Sequence, residues 1–160
     1  MSSTKKPIQA VCVLHENTSK IKGYILFKED LKNKNTIIKI ELENVPKGIH
    51  GFHIHETGDL RVGCTSLCAH YNPYNKVHGG PKDKIRHVGD LGNIVSKGGK
   101  VSMTMRDKLI KLRGKYSVIG RSVVIHAKED DLGKGGDKES LITGNAGSRI
   151  ACGIIGYAKC

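Results

Sequence analysis

Tryptophan is absent from this sequence, phenylalanine occurs only twice, and there are 4 prolines in 160 residues. The core must therefore be filled largely by Val, Ile and Leu, and the β-branched members of that set pack well on pleated surfaces. Seven aromatic side chains in all, 5 Tyr and 2 Phe, leave no obvious stacking platform for nucleic-acid bases. No apolar run approaches the roughly 20 residues of a membrane span, so no membrane partner is expected. Residues 1–7 are basic but lead into no apolar stretch, which is not the pattern of a secretory signal; a cytoplasmic location is the expectation. On that expectation the acceptor pattern Asn17-Thr18-Ser19 carries no meaning. Five cysteines (12, 64, 68, 152 and 160) show no CxxC spacing, which argues against a thiolate zinc knuckle. In a reducing compartment they read as free thiols.

Acidic residues are scarce as well: 15 against 27 Lys and Arg, for a formal charge of +12. Such a surface suits nucleic acid, an anionic membrane face or a small anionic substrate. Twenty-one of the basic residues are lysines spread along the chain, so no specific nucleic-acid partner is expected. The length fits one domain, taken as residues 1–160.

Apolar alternation with turn signals between runs predicts strands at 8–14, 20–28, 36–42, 50–55, 92–95, 101–106, 122–126 and 150–158. No window of a dozen residues holds a helical period. About eight strands at this spacing predict an all-β antiparallel sandwich or barrel. Two stretches, 56–88 and 127–148, lack strand patterning and are rich in Gly, Asp, Lys and Asn. Loops of this length in a compact domain usually carry function.

The histidines fall at 15, 50, 53, 55, 70, 78, 87 and 126. His53-Ile54-His55 places two imidazoles on one face of a strand, where they can share a metal. Alone, that pair is a weak signal. His126, at the end of 122–126, can complete a three-nitrogen site. In the first long loop, His70, His78, His87 and Asp90 supply three imidazoles and a carboxylate, a set suited to tetrahedral zinc.

Several segments then carry a resemblance: Gly51-Phe-His-Ile-His-Glu-Thr-Gly-Asp59, His78-Gly-Gly-Pro-Lys-Asp83, Arg86-His-Val-Gly-Asp-Leu-Gly-Asn93, Asp130-Asp-Leu-Gly-Lys-Gly-Gly136 and Gly144-Asn-Ala-Gly-Ser-Arg-Ile-Ala-Cys-Gly153. In this order they resemble the copper/zinc superoxide dismutases of the intracellular type, over about residues 11–156. The resemblance implies an eight-stranded Greek-key β-barrel with two long functional loops. It implies an enzyme that turns two superoxide anions and two protons into dioxygen and hydrogen peroxide by copper redox cycling. Copper ligands would be His53, His55, His70 and His126; zinc ligands would be His70, His78, His87 and Asp90. His70 would bridge the metals, releasing copper and carrying a proton during the cycle. Asp130 would link His53 to His78, and Arg149 would dock superoxide. Zinc would act structurally and electrostatically.

The resemblance also implies a disulfide between Cys64 and Cys152, a homodimer packed through 119–120 and 154–157, and a copper chaperone as a possible partner. Tyr157 is bulkier than the aliphatic residue expected at that interface. In the second long loop, Lys138 stands where the family often has an acid and Ile142 where it often has a lysine, so steering of the anion is expected to differ. Cys12 reads as a buried core thiol. Cys68 is open: a bystander, or a competitor for the disulfide or for metal. His15 and His50 receive structural roles, and Cys160 reads as a free terminal thiol. Two rivals remain, a copper carrier without turnover and a basic nucleic-acid-binding module.

Overall fold

The computed structural model describes residues 6–14 and 20–159; His15, the Asn17 acceptor pattern and Cys160 lie outside the described residues. Eight strands form: β1 (Gln9–Leu14), β2 (Lys22–Asp30), β3 (Asn35–Glu43), β4 (Gly48–His55), β5 (Asp90–Ser96), β6 (Lys100–Asp107), β7 (Ser122–His126) and β8 (Arg149–Tyr157). All pair antiparallel in the order β5-β4-β7-β8-β1-β2-β3-β6. The end strands β5 and β6 are joined by a tight turn with a Lys97–Lys100 bridge, so the sheet curls into a nearly closed barrel. The β3–β4 and β6–β7 connections cross between its halves, which is the Greek-key path. The expected all-β class and eight strands are what the chain adopts.

Alternation explains the core. On β3, Thr36, Ile38, Ile40 and Leu42 turn inward while Lys39 and Glu43 face out. Phe27, Phe52, Ile54, Ile94 and Ile125 join them in one buried cluster. Each such side chain contributes roughly 1.5–3 kcal/mol by leaving water. β4 and β7 differ: their outer faces are buried too, because the two long loops fold over them. Under that cover Val124, Leu67 and Cys152 make a second apolar cluster. The outer face of these two strands is where His53 and His55 emerge.

The second long loop holds no strand, in keeping with its lack of strand patterning, and carries one short element. Ser140–Thr143 form a single helical turn, α1. Asp137 Oδ1 accepts the Ser140 N–H at 2.8 Å, and Gly144 ends the turn in the left-handed region. The first loop likewise holds a short 3-10 segment, Gly63–Leu67. Among the described residues no helix is long and apolar enough to cross a membrane.

Candidate metal centre

His53 and His55 stand two apart on the outer face of β4, beside Val124 and Ser122 of β7. A register shift between Ile125 and His126 turns the His126 ring toward them. The first loop returns His70 to the same place through an isolated bridge with His55. The His53 ring then lies 4.0 Å from His70 and 4.8 Å from His126, centroid to centroid. One nitrogen of each ring is fixed by a neighbour: His53 Nε2 by Asp130 (2.7 Å), His55 Nδ1 by the Cys68 carbonyl (2.9 Å), and His126 Nδ1 by the Gly147 carbonyl (3.0 Å). Those contacts leave His53 Nδ1, His55 Nε2 and His126 Nε2 facing the shared space, together with His70 Nε2. One ligand atom from each of His53, His55, His70 and His126 lies within 4.8 Å of the others.

The second set gathers on Asp90, which is fully buried. Its Oδ1 is 3.0 Å from His70 Nδ1, 3.0 Å from His78 Nδ1 and 3.1 Å from His87 Nδ1. Its Oδ2 accepts the Gly79 and His87 N–H groups at 3.1 and 2.8 Å. Three ring nitrogens crowding one carboxylate oxygen is the spacing of a tetrahedral shell, whose edge is about 3.3 Å for bonds near 2.0 Å.

Asp130 ties the two sets together. Its Oδ2 meets His53 Nε2 at 2.7 Å and its Oδ1 meets His78 Nε2 at 2.8 Å. Asn93 holds it in place from both sides, donating to its carbonyl (2.9 Å) and accepting its N–H (2.8 Å). Gly144 lets this happen: a Cβ there would stand 1.9 Å from Asp130 Oδ1, and its φ of +70° already disfavours other residues. Asn93 closes the segment Arg86–Asn93, and nothing in the local sequence marks it for this contact.

Burial sets the proton affinities. It holds the His53, His55 and His126 rings down to about 3, 2 and 4, and lowers His70 as well. At His78 burial also disfavours the charge, but the carboxylates of Asp130 and Asp90 outweigh it and raise the ring to about 9. Burial opposes ionisation of Asp90 and Asp130 too. Their histidine neighbours win, holding Asp90 far below the carboxylate range and Asp130 at about 2.

These residues fit copper and zinc on the structure's own terms. Buried His53 Nδ1, His70 Nε2 and His78 Nδ1 have no hydrogen-bond partner. The His78 nitrogen is near Asp90 but misaligned for a bond. Orphaned polar atoms are costly in a protein interior, and a cation offers all three a partner. The all-imidazole set suits copper, and the three-imidazole, one-carboxylate set suits zinc.

A cavity of about 400 Å³ opens beside the first set, bordered by His55, His70, His126, Lys128, Ile142 and Arg149. The half-buried Arg149 guanidinium donates to the carbonyl oxygens of Cys64 (2.7 Å) and Cys68 (2.6 Å). Lys138, by contrast, is not among the residues bordering this cavity, while Ile142 is. Cys64 and Cys152 are disulfide-bonded. Cys12 is buried, which pushes its thiol up to about 12, and Cys68 is an exposed free thiol. His50 is buried between the carbonyl oxygens of His126 and Pro46.

The fold and site define a class: a Greek-key barrel with two adjoining histidine-rich donor sets that share one imidazole. Residues 21–155 match the family described as copper/zinc superoxide dismutase. A copper–zinc superoxide dismutase of Paramecium bursaria Chlorella virus 1 is 53% identical over 156 residues, covering 96% of this chain and 81% of its own. Copper–zinc superoxide dismutase A of Xenopus laevis is 49% identical over 150 residues, covering 94% and 98%. An extracellular copper–zinc superoxide dismutase of Brugia pahangi is 53% identical over 154 residues, covering 94% and 76%. The chain belongs to the copper/zinc superoxide dismutase family.

Proposed function

We propose that this chain dismutates superoxide: two superoxide anions and two protons become dioxygen and hydrogen peroxide. The observation that carries this reading is the pair of donor sets sharing His70, with Arg149 at the mouth of the cavity beside them. In this reading His53, His55, His70 and His126 hold copper, and His70, His78, His87 and Asp90 hold zinc. Copper, when bound, supplies one-electron exchange, for which zinc has no accessible redox state. Arg149 binds the anion with a fork of donors that stays charged at every relevant pH. Its two carbonyl contacts hold the fork still. His70 borders the cavity, and its unpartnered Nε2, which would face copper, would carry a proton for peroxide only while free of the metal. Asp130 fixes the His53 and His78 rings and raises their basicity as ligands.

The finer parts of the proposal are a single domain over 1–160, a homodimer, and an intracellular, cytoplasmic enzyme. Exposed Ile154 and Tyr157 on β8 favour the dimer, and the free thiols Cys12 and Cys68 favour a reducing compartment. A copper-delivering protein is a further expected partner, and the accessible Cys68 thiol beside the copper-side histidines favours such a contact. The test pairs metal analysis with superoxide removal on protein reconstituted with both ions. One copper and one zinc per chain with cyanide-sensitive turnover is expected. Both metals bound without turnover makes the protein a copper carrier instead.

A further inference from the structure

The end of the barrel opposite Arg149 has a chemistry of its own. It is built by the β2–β3 turn, residues 31–34, and by residues 108–113 after β6. Thr36 Oγ1 donates to the Ile110 carbonyl at 2.8 Å and Lys111 Nζ to the Lys34 carbonyl at 3.3 Å, which locks the two segments side by side. The strand register sets the distance from Arg149. Gln9 pairs with Lys28 and Ala10 with Tyr157, so this pole lies at the far end of β8 from Arg149. That is the length of the strand, about 25 Å.

Every acid at this pole is already matched. Arg113 holds Glu29, Arg106 holds Asp30 at 2.8 Å, and Arg86 holds Asp107 at 2.5 Å. Lys6, Lys28, Lys32, Lys34, Lys108 and Lys111 form no ion pair among the described residues. Among these lysines stand two leucines turned to water: Leu31 is 44% exposed and Leu109 38%. Between the segments a cavity of about 230 Å³ is bordered by Leu31, Lys34, Lys111 and Arg113, and by the arginine-paired Glu29 and Asp30. No aromatic side chain borders it, so base stacking has no platform there.

The geometry points to a docking surface for an anionic lipid membrane at this pole. The lysines meet acidic headgroups, and Leu31 and Leu109 enter the interface. Apolar side chains ringed by lysine are the signature of a peripheral membrane contact rather than of a nucleic-acid groove. The contact lies on the surface and is no span, and it departs from the sequence expectation of no membrane partner.

Flotation of the metal-loaded chain with phosphatidylcholine vesicles, with and without phosphatidylserine, tests this. Binding is expected only with phosphatidylserine, and Lys32→Glu with Lys34→Glu should weaken it at least about tenfold. Superoxide removal by that variant should be unchanged, which also certifies its fold. The chain has no tryptophan, so Leu109→Trp supplies a single reporter whose emission should shift to the blue on acidic vesicles. Absent flotation, flotation indifferent to the two glutamates, or unshifted emission overturns the proposal. Retention on DNA that the two glutamates abolish, with emission unshifted on vesicles, reassigns the pole to nucleic acid.

Discussion

Arg149 donates from Nη1 to the carbonyl oxygen of Cys64 at 2.7 Å, and Cys64 is bonded in turn to Cys152, three residues along the strand that Arg149 opens. The disulfide therefore fixes the loop that fixes the arginine. It spans 88 residues, a closure worth about 4–5 kcal/mol in the chain-entropy model. Replacing both cysteines, Cys64→Ser with Cys152→Ser, should lower the urea midpoint markedly and also reduce kcat/KM. An unaltered kcat/KM would mean that the two carbonyl contacts hold Arg149 without the bridge.

Reversing the charge at the cavity mouth should act on the substrate and spare the metals. Arg149→Glu is expected to lower kcat/KM by about one to two orders of magnitude. Metal content by mass spectrometry should stay at one copper and one zinc per chain. A variant of unchanged rate removes Arg149 from substrate binding.

Asp130→Asn keeps the side-chain shape but removes the charge that two imidazoles share. Losing such an outer contact typically costs about 10–100-fold in metal affinity. Competition against a chromophoric chelator should show that loss for zinc, and a weaker one for copper. Affinities equal to wild type would assign Asp130 to loop packing alone.

The same carboxylate can be attacked from behind. Gly144→Ala places a methyl 1.9 Å from Asp130 Oδ1 and 2.5 Å from His78 Nε2, at a backbone φ that costs a substituted residue about 1–2 kcal/mol. Lower thermal stability and weaker zinc retention are expected together. Loss of stability with zinc affinity intact would show that the α1 turn gives way while Asp130 holds.

Acid should unfold the metal-free protein from an unusually high pH. His53, His55 and His126 have an ordinary value of 6.5 but are held at about 3, 2 and 4 by burial in the fold. Below about 6.5 the unfolded chain binds more protons, so stability falls as pH drops from there toward 4. Each unmatched proton steepens that fall by about 1.4 kcal/mol per pH unit. His78 acts in the opposite sense: raised to about 9, it stabilises fully below 6.5 and its contribution disappears as pH rises through 9. Asp90 and Asp130 add to the acid loss only below their ordinary value of 3.8. Urea midpoints of chelator-treated protein should therefore peak near neutrality. A flat profile from 4.5 to 7 would contradict the burial of these rings.

The sequence revealed strands wherever one face is apolar and the other polar. The run 122–126 coincides with β7, and 36–42 lies within β3 with one residue added at each end. It fell short at β5, expected over 92–95 and found from Asp90 to Ser96, because Asp90 pairs with His53 across an irregularity that no period reveals. The four-residue turn α1 is too short to show a period at all. At the site, HxH and the loop histidines were visible as residue types, and their roles came from resemblance. What stayed hidden is contact between distant positions: Asn93 clasping Asp130 from 37 residues away, or Arg86 buried against Asp107. Such pairs are made by the fold and leave no mark in local sequence.

Sharing His70 and bracketing Asp130 between His53 and His78 makes the two donor sets thermodynamically inseparable. Filling one set orders two side chains that the other also needs. By linkage, any gain in affinity that the first ion gives the second is returned in equal measure. Occupancy of one set therefore changes the affinity of the other, and the coupling is the same read from either ion.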